Sequence, residues 1–107
     1  MRADDDRFAD MADAAEAMIR FIAGKSRADL EDEVLFWALV AQVTILGESA
    51  LRVTDHGREQ LPGIPWRAIV AMRNQLVHGC WSIDRDELWR TISVDIPALI
   101  QQLSANA

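Results

Sequence analysis

The stretch VLFWALVAQVTIL, Val34 to Leu46, decides the fold. Val34, Leu35, Phe36, Trp37, Leu39, Val40, Val43, Ile45 and Leu46 cover nearly every face of a helix, and they show none of the alternation that a strand requires. The spacing predicts a second helix from about Ala28 to Val53, opened by Ser26 as N-cap with Asp29 three residues on, close to a capping box. A helix apolar all round is either central or shared with a second subunit. With only about four helices in the chain, its own neighbours can hardly enclose it. Trp37 and the apolar residues beside it are therefore expected in or next to a homodimer seam. Gln42 and Thr44 interrupt the run, and no stretch of eighteen apolar residues suggests a membrane span.

The rest of the chain also reads as helical. Phe8, Met11, Ala15, Met18, Ile19 and Ile22 form one apolar stripe at 3–4 spacing, and Gly24 supplies a stop. Thr54 to Trp66, TDHGREQLPGIPW, holds two glycines and two prolines and reads as a loop. Pro65 is placed to open a third helix, whose apolar side is Trp66, Ile69, Val70, Leu76 and Val77, and Gly79 ends it. Asp84 reads as the cap of a last helix, with Glu87 at its third position. That helix carries Leu88, Ile92, Ile96, Leu99, Ile100 and Leu103. Pro97 should kink or split it, because the ring removes a hydrogen bond and crowds Ser93. The expectation is a single all-α domain over residues 1–107, an up-down helical bundle of about four to five helices.

Composition narrows the function. The chain has 107 residues, half of them hydrophobic, and a net charge of −6. Residues 1–33 hold ten acids (Asp4, Asp5, Asp6, Asp10, Asp13, Glu16, Asp29, Glu31, Asp32, Glu33) against five bases, whereas residues 34–107 hold seven acids against six bases. The net charge argues against binding nucleic acid through a broad basic surface, less strongly for the nearly neutral second segment, and the acidic start reads as a solvated helix face or else as a surface for a basic partner. The acidic N-terminus is unlike a signal peptide. The single cysteine, Cys80, has no partner for an intrachain disulfide, so a cytoplasmic protein is expected.

Chemistry concentrates in MRNQLVHGCW, Met72 to Trp81. Arg73 and His78 are five residues apart, about 140° around an ideal helix, so they share no face unless the helix ends near His78–Gly79. Asn74 and His78, four apart, do share one. Arginine presents a planar cationic fork to phosphate oxygens, and histidine can take and return a proton. Arginine, histidine and an amide without metal or nucleophile suit cleavage of RNA by its own 2′-hydroxyl. The plainer reading is a helix-terminal histidine and an arginine paired with a nearby acid, and residue types alone leave both open. Elsewhere, His56 beside Asp55 has no second ligand at metal-binding spacing, Ser49 has no base near it, and no glycine-rich phosphate loop is present. No metal and no cofactor are expected.

The longer phrase GIPWRAIVAMRNQLVHGCWSIDRDELWRTISVDIPAL, Gly63 to Leu99, closely resembles HEPN-domain toxins of the HepT type. IPW, MRNQLVHG, the ID before the last helix, the LW within it and DIPAL match that family's landmarks. Upstream, ILGESA (Ile45 to Ala50) is similar to its second-helix signature. The resemblance covers roughly residues 5–103. It implies an all-helical dimeric, metal-independent ribonuclease, encoded beside a nucleotidyltransferase-type antitoxin, with Arg-x-x-x-x-His motifs of two subunits meeting at the interface. Arg73 and His78 then match the catalytic pair, and Asn74 supports them. Glu48, costly to bury alone, is expected near a cation. One departure stands out. The family pattern continues to a tyrosine, onto which the antitoxin transfers AMP, and Cys80 occupies that position. A thiol there lacks the acceptor hydroxyl, and the beside-lying Trp81 reads as core packing or as an aromatic surface for an RNA base.

Overall fold

A computed structural model describes residues 3–78 and 83–105. Among them every regular element is helical, and none is a strand. The elements are α1 (Asp4–Ile22), a 3-10 turn (Arg27–Glu31), α2 (Glu33–Leu51), α3 (Asp55–Gln60), α4 (Trp66–Val77), α5 (Arg85–Arg90), a π-helical segment (Thr91–Asp95) and α6 (Ile96–Ser104). The expected all-α bundle is what the chain forms.

The hydrophobic block lies at its centre, with α2 packed between α1 and α4 while α6 lies against α1. Phe36, Leu39, Val40, Val43 and Leu46 of α2 meet Met11, Met18 and Ile92 in one continuous core. Met11, Met18, Leu30, Leu39 and Ile92 are essentially inaccessible, and each such side chain contributes about 1.5–3 kcal/mol of transfer free energy. By length and composition α2 would also pass as a membrane span, but half of it is buried inside the bundle. What its own chain leaves uncovered is an apolar stripe. Val34 is 81% exposed, Trp37 48% and Ile45 46%, at the 3–4 spacing of one helix face.

Two boundaries differ from expectation. The predicted second helix is split, because the Asp32 carboxylate accepts the Val34 N–H at 2.9 Å and starts α2 afresh. The Ser26–Asp29 capping box is present, but it caps the short 3-10 turn that buries Leu30. The expected loop after Thr54 contains α3. Thr54 caps it by accepting the Gly57 N–H at 3.1 Å, and the Thr54 backbone N–H donates to Asp4 Oδ1 at 3.0 Å, tying α3 to the start of α1. The glycines and prolines of this stretch give it the composition of a loop, yet both prolines lie beyond α3, and a threonine cap suffices to start it.

Other expectations hold. Gly24 follows α1 in the left-handed region, with φ 73°. Asp84 accepts the N–H groups of Asp86 and Glu87 at the start of α5. Pro97 stands in the first turn of α6. A proline there removes the N–H that would bond Ser93, and the backbone widens to the π segment just before it. Gly79, Cys80 and Trp81 lie outside the described residues.

Candidate active site

The position of α4 is set first at its start. The Trp66 indole N–H donates to the Leu61 carbonyl at 3.1 Å. Arg58 stacks its guanidinium 5.6 Å from the Trp66 ring centre and donates to the Ala50 carbonyl at 3.1 Å. The beginning of α4 is thereby anchored to the end of α2.

Arg73 then crosses α2 at Gly47. A Cβ on Gly47 would lie 2.1 Å from Arg73 Cβ and 2.7 Å from its Cγ, so only glycine admits this approach. With the arginine stem on Gly47, its head meets the next residue. Arg73 Nε donates to Glu48 Oε1 at 3.0 Å, and Nη2 donates to the same oxygen. Nη1 donates to Asn74 Oδ1 at 2.9 Å. The second carboxylate oxygen of Glu48 lies 3.9 Å from Arg52 Nη2. The Glu48 carboxyl is held below its ordinary range by the Arg73 hydrogen bonds above all, then by the charges of Arg73 and Arg52, with burial opposing. Two arginines around one carboxylate leave the cluster net positive. A guanidinium has five N–H groups; three are engaged here, so two remain for an anion.

His78 terminates α4 and is exposed. Its backbone N–H donates to the Asn74 carbonyl at 3.0 Å. No hydrogen bond joins Arg73 to His78 among the described residues. Asn74 bridges them instead, taking Arg73 on its side-chain oxygen and the His78 N–H on its main-chain oxygen. Within one chain the pair is adjacent but not closed, as the 140° separation requires. Cys80 lies outside the described residues. His56 shares a hydrogen bond with Gln60 at 3.4 Å and acts on Asp4 by charge, and among the described residues no group of three or more His, Cys, Asp or Glu could hold a metal.

The cation expected at Glu48 is Arg73 itself, a partner that the sequence did not single out. Arg52 was missed although its spacing of four from Glu48 was a readable signal. An apolar hollow of about 190 Å³ between α2, α4 and α6 is lined by Val43, Leu46, Ile69, Met72, Ile96 and Leu99 among others, and neither Arg73 nor His78 borders it.

Comparison with known proteins identifies the family. The family described as "Ribonuclease HepT-like" matches residues 11–105. The chain is 31% identical to the "Probable ribonuclease HepT" of Thermococcus cleftensis over 92% of its own length and 90% of that protein's. It is 33% identical to "Putative RNase TTE0752" of Caldanaerobacter subterraneus over 82% and 80%, and 27% identical to "Putative RNase MJ1380" of Methanocaldococcus jannaschii over 69% and 68%. No solved structure matches the chain significantly.

Proposed function

The chain belongs to the HepT-like ribonuclease family, and from that premise we propose that it is a metal-independent endoribonuclease, the toxin of a cytoplasmic toxin–antitoxin pair. Its working form is a homodimer whose two copies of Arg73, Asn74 and His78 meet in one cleft. The observation that carries this reading is the Glu48–Arg73–Asn74 arrangement. It fixes a largely buried arginine fork, its side chain 17% exposed, with two N–H groups not engaged by Glu48 or Asn74, about one turn from an exposed histidine.

In the reaction, the 2′-hydroxyl oxygen attacks the neighbouring phosphorus, and the bond from phosphorus to the 5′ oxygen breaks. A 2′,3′-cyclic phosphate and a free 5′-hydroxyl result. One His78, as neutral imidazole, takes the 2′ proton, and the second copy, as imidazolium, gives a proton to the departing 5′ oxygen. Arg73 stabilises the charge that gathers on the non-bridging phosphate oxygens. The nucleotidyltransferase-type antitoxin neutralises the toxin by binding, or by modification at a residue other than a tyrosine, since Cys80 replaces that acceptor. No membrane is involved.

A second reading has one observation in its favour. Three of the five Arg73 donors are already satisfied by Glu48 and Asn74, so a dimer of the same fold with weakened catalysis, acting as the assembly partner of a nucleotidyltransferase, would keep the same geometry. Cleavage of total RNA and of a tRNA pool by the wild type, beside Arg73→Ala and His78→Ala, separates the two. All samples contain excess chelator. Cutting by the wild type alone supports the nuclease. Intact dimers that never cut support the assembly partner, and cutting that chelator stops overturns the metal-independent mechanism.

A further inference from the structure

The helix that carries the site is electrostatically unlike the rest of this acidic chain. Arg67 and Arg73 are the only charged residues of α4, which makes it the one described helix with a net positive charge. Its first turn holds no acid and no side-chain cap, so the helix's own positive end is uncompensated. Arg67 is exposed and takes part in none of the ion pairs found among the described residues.

Helix geometry aligns Arg67 with the site. Arg67, Asn74 and His78 stand at i, i+7 and i+11, which places them within about 20° of one line along α4. Ala71 lies about 40° from that line, one turn on from Arg67, and is exposed. Its methyl group adds little height between Arg67 and Asn74. From Arg67 to Asn74 the helix rises about 10 Å, enough to separate a remote phosphate from the one at the reacting site.

Resting on the ribonuclease reading above, we propose that this face of α4 is the track for the RNA backbone, and that Arg67 binds a substrate phosphate remote from the one that is cut. The occupant is single-stranded RNA, because a line of cation, amide and imidazole on an otherwise acidic protein complements a row of phosphates. Phosphate contacts of this kind hold register without reading sequence. Arg67 is accordingly a binding residue and not a catalytic one.

The test measures cleavage and binding separately. The full-length proteins are the wild type, Arg67→Glu, Arg67→Lys and Arg20→Glu, the last an equal charge change at an exposed position on α1. Binding uses a fluorescent RNA oligonucleotide in the His78→Ala background, so that the strand stays whole. Arg67→Glu is expected to weaken binding about 10-fold or more and to raise KM in proportion, with kcat within about twofold. Arg67→Lys should recover most of the affinity. The dependence of log affinity on log salt should fall by about 0.7 when the contact is lost. Arg20→Glu should do none of this. RNA affinity indifferent to Arg67, or equally sensitive to Arg20, overturns the track. So does binding of an acidic polypeptide that depends on Arg67 where RNA binding does not. If the wild type fails to cut but binds RNA through Arg67, the track stands and the nuclease reading falls.

Discussion

Gly47 and Arg73 touch so closely that the first side-chain carbon of the arginine occupies the space a methyl group on the glycine would need, 2.1 Å away. This contact sets the distance between α2 and α4 and delivers the Arg73 head to Glu48. Two effects compete in Gly47→Ala. Alanine is favoured over glycine inside a helix by about 1 kcal/mol, whereas overpacking costs about 1–3 kcal/mol. The clash is with Cβ and Cγ, near the backbone, and not with a free end that can swing aside. We therefore expect net destabilisation and a lowered Tm, with Arg73 displaced from Glu48. A Tm equal to or above that of the wild type would show that α4 yields easily here.

Glu48 answers to pH in a determined direction. Its folded pKa lies below the ordinary 4.5, so the unfolded chain takes up the proton first as pH falls. The stabilisation is complete above the ordinary value and is lost as pH drops through the folded one. Glu48→Gln keeps the shape and removes the charge. The variant should melt below the wild type at pH 7, and the gap should close as the pH is taken well below 4.5. Melting curves across that range decide it; a constant gap would mean that shape, not charge, holds the pair. In the cleavage assay, loosening Arg73 should lower kcat/KM by roughly 10–100-fold.

The elements that were legible in the sequence are those governed by neighbours along the chain. The Asp84 cap, the break before Pro97 and the Gly24 stop each depend on a few adjacent residues. The α3 helix was hidden because Gly57 and the prolines dominate its composition, while a single threonine cap and a tie to Asp4, 50 residues away, hold it in place. The site was legible as residues and not as contacts. Glu48 showed its need for a cation, but only the crossing at Gly47 selects Arg73 from the arginines available. The separation of Arg73 from His78 followed from the helix period, and the bridging role of Asn74 needed the fold.

Cys80→Tyr tests control by the partner. Tyrosine restores the hydroxyl that the Arg-x-x-x-x-His-x-Tyr pattern carries. Incubated with ATP and a nucleotidyltransferase-type antitoxin, the variant should gain the mass of one AMP group at that position, and the wild type should gain none there. Modification of the wild type at Cys80 would show that the thiol serves as acceptor, contrary to this expectation.

The exposed α2 stripe bears on assembly. Trp37 packs edge-on against Phe36, with ring centres 5.0 Å apart, yet remains 48% exposed. Val34 and Ile45 extend the same apolar face toward Glu48, and Val77, 47% exposed, stands one turn beyond Arg73 on α4. An apolar face that ends beside a charged site favours a twofold seam that brings two such sites together. Trp37→Glu puts like charges across that seam while leaving the core residues of α2 in place. We expect the wild type to be a dimer at micromolar concentration by light scattering. The variant should be a folded monomer by the same measurement and by circular dichroism, with cleavage reduced at least about 10-fold because each cleft needs two copies of His78. A wild-type monomer would remove the seam. A monomeric variant with full activity would place the whole site within one chain.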